Sequence, residues 1–84
     1  MERRIGVVGI VIEERSKAAQ INSILSEYGD IIIGRMGIPQ REKGLNVISL
    51  IVEGTTDKIG AMTGKLGNIK GVQVKSALSN KFLG

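Results

Sequence analysis

The octapeptide Gly60-Ala-Met-Thr-Gly-Lys-Leu-Gly67 is where residue types and spacing come nearest to phosphate chemistry. A phosphate loop wraps anionic oxygens with successive backbone N–H groups and follows its lysine with a Ser or Thr for magnesium. It needs four residues between its first glycine and the Gly-Lys pair. Here Ala61, Met62 and Thr63 intervene, and Leu66 follows Lys65. Spacing and magnesium ligand both fail, so these glycines need another reason. Acid–base chemistry fares no better. The chain contains no His and no Cys, which excludes thiol nucleophiles, disulfides, the usual zinc sets and the imidazole that most often moves protons near neutral pH. Glu13 and Glu14 are adjacent, and neighbours along an extended strand face opposite ways, so they make no acid–base pair. No catalytic residue, metal site or cofactor is expected.

The elements that would position any site follow from hydrophobic period. Ile5 to Ile12 is an apolar run of strand length, ended by Glu13-Glu14-Arg15-Ser16. Ser16 is a good N-cap for a helix whose stripe is Ala18, Ile21, Ile24, Leu25 and Tyr28, and Gly29-Asp30 stops it. Ile31-Ile32-Ile33 opens a second strand, Gly37 to Gly44 reads as a connecting loop containing Pro39, and Leu45 to Glu53 makes a third strand. Thr55, Thr56 and Asp57 offer N-caps to a second helix with the stripe Ile59, Met62, Leu66 and Ile69, and a fourth strand starts at Gly71. The two halves resemble each other at a period of about forty residues. The order β-α-β-β-α-β predicts an α+β, ferredoxin-like two-layer sandwich over residues 1–84, a single domain with a four-stranded antiparallel sheet and both helices on one face. Gly60, Gly64 and Gly67 would then permit close packing of the second helix, which is the expected reason for them, with a hinge as the other.

A chain of 84 residues has a thin core of its own. The two central strands are apolar on both sides: Ile5, Val7 and Val11 point one way and Val8, Ile10 and Ile12 the other, with Ile48, Leu50 and Val52 against Val47 and Ile51. Helices cover only one face, so the pattern predicts a homo-oligomer, dimer or tetramer, that buries the other or pairs exposed edge strands. Ile10 is taken as a residue of that open face.

Net charge is +4, from 12 basic and 8 acidic residues. The basic residues are spread over every predicted element with carboxylates among them, which reads as a solvated mixed-charge surface rather than a phosphate-tracking patch. The first and third strands carry no aromatic residue, so the base-stacking platform of an RNA-recognition sheet is missing. No direct nucleic-acid contact is expected. No apolar run reaches the ~20 residues of a membrane helix, and Met1-Glu2-Arg3-Arg4 leads into a strand without a signal-peptide core. The expected location is cytoplasmic.

The block Ile59 to Lys75, "IGAMTGKLGNIKGVQVK", with "RMGIP" at Arg35 to Pro39 and "VIEERSKA" after the first strand, resembles the small stand-alone proteins known as iron-only hydrogenase system regulators. The similarity spans almost the whole chain. It implies an ACT-like fold, akin to the C-terminal domain of nickel-responsive repressors, and regulation through ligand binding or assembly. Those repressors hold nickel with His and Cys, which this chain lacks, so no nickel site carries over. A transcriptional role would need a DNA-binding partner protein. The resemblance further implies a small effector, such as an amino acid, near the loop between the first strand and helix. The candidates there are Glu13, Glu14, Arg15 and Ser16. Thr55 and Thr56 occupy the same end of the second helix by the repeat. On the second strand Gly34 and Gly37 would let a ligand approach the backbone while Arg35 pairs its carboxylate. Each also has a structural role as cap, strand end or edge charge. The competing reading is a protein-interaction module without any small ligand.

Overall fold

The computed structural model describes residues 2–83. Strand β1 (Arg3–Ile12) runs through the middle of a sheet whose order is β2-β3-β1-β4, every neighbour antiparallel. The other strands are β2 (Ile32–Gln40), β3 (Leu45–Thr55) and β4 (Val72–Leu78); the helices are α1 (Ala18–Glu27) and α2 (Thr56–Gly67). This is the ferredoxin-like α+β topology expected from the element order.

One face of the sheet is the core face. Val8, Ile10 and Ile12 from β1 and Ile48, Leu50 and Val52 from β3 meet Ile21 and Leu25 of α1 and Ile59, Met62 and Leu66 of α2, all buried. Both helical stripes fall where their 3.6-residue period placed them. Each fully buried Ile or Leu contributes about 1.5–3 kcal/mol relative to exposure. The first correction concerns Ile10, which is fully buried beneath the helices. The open face carries the odd-numbered set of β1 instead. Both sets are equally apolar, so hydrophobicity alone cannot choose between them.

The second correction is β2, which runs on to Gln40 and absorbs most of the segment read as a loop. Pro39 pairs opposite Asn46, and it is tolerated because β2 is an edge strand with no neighbour needing its missing N–H. Only a 3-10 turn, Arg41–Lys43, and Gly44 (φ 67) remain to close the hairpin. A register irregularity between Ile32 and Gly34 resets which β2 residues face the helices.

The third correction concerns α2. An added Cβ at Gly60, Gly64 or Gly67 would meet nothing within 4 Å. The glycines lie on the outer side of the helix, and the close-packing expectation fails. Helix packing runs instead through Ile59, Met62 and Leu66, supplemented at the rim by Lys65, whose Nζ donates to Glu27 Oε2 at 2.7 Å and lies 5.1 Å from the Tyr28 ring centroid.

Candidate functional site

Between α1 and the β2 edge the helix-side layer leaves a groove with two abutting compartments, of about 150 and 220 Å³. Local structure explains its walls. After the irregularity at Gly34, alternate residues of β2 face the helices, which brings Arg35, Gly37 and Pro39 to one side. On the other side, a 3-10 turn at Arg15–Lys17 leads into α1 and presents Arg15, Ala18 and Asn22. Ile12, Asn46 and Ile48 floor the groove, and Arg41 closes its outer end from the hairpin turn.

Three arginines therefore line one groove. Arg35 is positioned, donating through Nη2 to Asn22 Oδ1 at 2.7 Å. Among the described residues Arg15, Arg35 and Arg41 take part in no ion pair; the ion pairs found are Arg3–Glu53, Lys58–Asp30 and Lys65–Glu27. Neither the 3-10 turn nor α1 has a side-chain cap at its start, so the positive end of the helix dipole is left to the groove. Among the described residues no three carboxylates converge as a metal site would require.

The sequence candidates divide sharply. Arg15, Arg35 and Gly37 are brought together on the groove. Glu13 and Glu14 are not: Glu13 accepts from Gln73 Nε2 at 3.2 Å and its N–H donates to Gly71 O at 2.8 Å. The Glu14 side chain packs over Gly71, whose φ of 82 and lack of a Cβ allow it. Both acids thus tie the end of β1 to the start of β4. Ser16 is exposed within the 3-10 turn and caps nothing, because that extra turn moves the start of α1 past it. Gly34 pairs with Ile51 on the opposite face of the sheet. Thr55 caps α2, its Oγ1 accepting from Lys58 N–H at 3.2 Å, and Thr56 is the first residue of that helix. Because β1 and β3 are antiparallel, these threonines lie at the other end of the sheet from Arg15. There Asp30 and Lys58 form an exposed pair, and the hydrogen bond from Lys58 holds the Asp30 carboxyl below its ordinary value.

Asn22, Arg41 and Asn46 line the groove without having been singled out. Reading Gly37 to Gly44 as a loop hid the relevant signal. The alternation of Arg35, Gly37 and Pro39 with Met36 and Ile38 is the period of a strand with one polar and one apolar side.

The reverse side of the sheet is apolar and open. Ile5, Val7, Met36, Ile38, Val47 and Ile51 are 38–63% exposed. Val7 pairs with Ile51 and Ile38 with Val47, so the patch is continuous across three strands.

Over residues 4–76 the sequence matches the family described as "TM1266-like: Iron-only hydrogenase system regulator, putative". The solved structure of the uncharacterized protein TM1266 from Thermotoga maritima is 40% identical, with a TM-score of 0.87 over 92% of this chain and 98% of that one. A formyltetrahydrofolate deformylase from Pseudomonas putida KT2440 shares 10% identity at a TM-score of 0.67, over 92% of this chain and 29% of that enzyme. CPII, a nitrogen regulatory PII-like protein from Thiomonas intermedia K12, shares 14% identity at 0.52, over 93% of this chain and 92% of its own. At such identities the last two likenesses are of fold alone. No curated protein matches the chain in sequence. The match across nearly all of β1 to β4 and the 40% identity to TM1266 lead to one conclusion: the chain belongs to the TM1266-like iron-only hydrogenase system regulator family.

Proposed function

We propose that the protein is a non-enzymatic regulatory domain that responds to a small effector held in the groove between α1 and β2. The observation that carries this reading is the convergence of Arg15, Arg35 and Arg41, unpaired among the described residues, on a groove into which Asn22 holds Arg35. Unpaired like charges around a concavity repel one another and are relieved by an anion. Absence of His and Cys from the whole chain supports regulation over catalysis. In this reading a transcriptional output passes through a DNA-binding partner protein.

A second reading, assembly, rests on the open apolar face. Its exposed side chains offer on the order of 500 Å² per protomer, so two copies face to face would bury about 1,000 Å², the lower bound of a specific interface. A second copy is the occupant that fits, since the apolar patch of β2, β3 and β1 meets its own equivalent while Lys75, opposite Gly9 on β4, stands at its margin. Effector binding and assembly are compatible, because the groove and the open face lie on opposite sides of the sheet.

The test is a thermal-melt screen of the protein at fixed concentration against amino acids, nucleotides, organic acids, iron and nickel. A ligand at a hundred times its dissociation constant adds about 2.7 kcal/mol, which moves the midpoint of a domain this size by roughly ten degrees or more. A reproducible shift with one compound class supports the sensor. No shift with any class leaves assembly as the function of the fold.

A further inference from the structure

We infer that the effector is a small polyanion, a phosphorylated or multiply carboxylated compound without an ammonium group; this rests on the effector reading of the same groove. Three cations border the two compartments and no Asp or Glu lines either of them. Of the acids that adjoin these arginines in the chain, Glu13 accepts from Gln73 and the stem of Glu14 lies over Gly71, while Glu42, beside Arg41 on the hairpin turn, is exposed and lines neither compartment. An amino acid would bring its ammonium into a field set by guanidiniums and a helix start, with no carboxylate to receive it. Asn22 Oδ1 already accepts from Arg35, and Asn46, which lines both compartments, is a neutral amide that does not balance the charge of an ammonium.

A polyanion meets complementary groups on every polar wall. A guanidinium carries five N–H donors in a planar fork that matches carboxylate and phosphate oxygens. Arg35 spends one on Asn22 and aims the rest. Arg15 stands across the groove on the turn before α1, and Arg41 at its end on the hairpin turn. A ligand with one charged group reaches one or two of these; a ligand with two or three charged groups can engage all of them. Each compartment alone, about 150 and 220 Å³, is below the roughly 300–1,000 Å³ of a drug-sized site, and the two together only just enter that range, so a polyanion that spans both is a compact one. Ile12, Ala18 and Pro39 supply apolar contact for a short carbon body. All three arginines are exposed, so affinity must fall with ionic strength as charges beyond about 8 Å are screened at physiological salt.

Isothermal titration calorimetry of the full chain with pyrophosphate, citrate and leucine, at low salt and at physiological salt, tests this. The expected result is binding of pyrophosphate or citrate that weakens at the higher salt, and silence with leucine. Whichever of the two anions binds more tightly separates phosphate from carboxylate chemistry. Arg15→Gln and Arg35→Gln should each weaken that binding about 10- to 100-fold, the usual loss for a charge-assisted hydrogen bond, while Lys58→Gln at the opposite end of the sheet leaves it unchanged. Binding of leucine with both polyanions silent would overturn the polyanion assignment and leave the effector reading standing. Silence with all three here and with every class in the melt screen would overturn both. Polyanion binding that survives the two arginine substitutions undiminished would also overturn the inference, because it would place the anion elsewhere.

Discussion

Replacing Gly60 and Gly64 with alanine should stabilise the protein, and the size of the gain follows from where α2 places them. Both lie inside a helix of 12 residues, on its outer side, and an added methyl group would meet nothing within 4 Å. The native cost of each glycine is therefore the conformational entropy of a residue without a side chain, about 0.5–1 kcal/mol relative to Ala, and the substitution disturbs no packed neighbour that could offset the gain. The double variant should gain about 1–2 kcal/mol, since the two new methyl groups, neighbours at i and i+4, couple by only a few tenths of a kcal/mol beside the propensity gain at each position. For a domain of this size each kcal/mol raises the midpoint by roughly 4–8 °C, so the expected shift is about 4–16 °C. Urea denaturation should show the same gain as a higher midpoint at unchanged slope. Protein concentration must be held constant, because self-association would add its own stabilisation. A double variant that melts lower than the parent would refute the reasoning, because it would mean that another surface packs closely against this side of α2.

Three further outcomes follow. Ile10→Glu, which buries an unpaired charge in the core, should abolish the cooperative melt, whereas Ile51→Glu on the open face should change stability by about 1 kcal/mol or less and reduce self-association in analytical ultracentrifugation. Equal effects of the two would undo the assignment of faces. Thr55→Ala removes the α2 cap and should cost about 1 kcal/mol, while Ser16→Ala should stay within about 0.5 kcal/mol in the same chemical denaturation assay. For Asp30, the hydrogen bond from Lys58 depresses the folded carboxyl below its ordinary value of 3.8. Its small contribution is therefore complete above that value and lost as pH falls through the lower, folded one. Lys58→Gln should move the Asp30 titration upward in a carboxyl NMR experiment, and an unmoved titration would dissolve the pair.

Element order, both helical stripes and the Thr55 cap were legible because each rests on local chemistry: period, capping oxygen, turn residues. The sides of β1 were not, since Ile5 and Val7 are as apolar as Val8 and Ile10, and only the crossing of α1 and α2 over one side decides. The end of β2 was hidden by Pro39, which reads as a breaker until the strand is known to be an edge. That one boundary concealed half the groove, because Gly37, Pro39 and Arg41 take their places only if β2 continues to Gln40. Arg15 and Arg35 were legible as charges, but their convergence across 20 residues of chain depends on how α1 lies along the β2 edge. Ser16 does not cap because a 3-10 turn moves the start of α1 past it, and the glycines of α2 do not serve close packing because the helix turns them away from its neighbours.

The central claim is that the groove between α1 and β2 receives the effector. The most direct measurement is an amide chemical-shift titration of the isotopically labelled chain with pyrophosphate and with citrate. Saturable shifts are expected only at the groove walls, around Ile12 to Asn22, Arg35 to Arg41 and Asn46, with the Thr55–Lys58 end silent. Shifts centred on Thr55 and Lys58, or none anywhere at millimolar ligand, would contradict the claim.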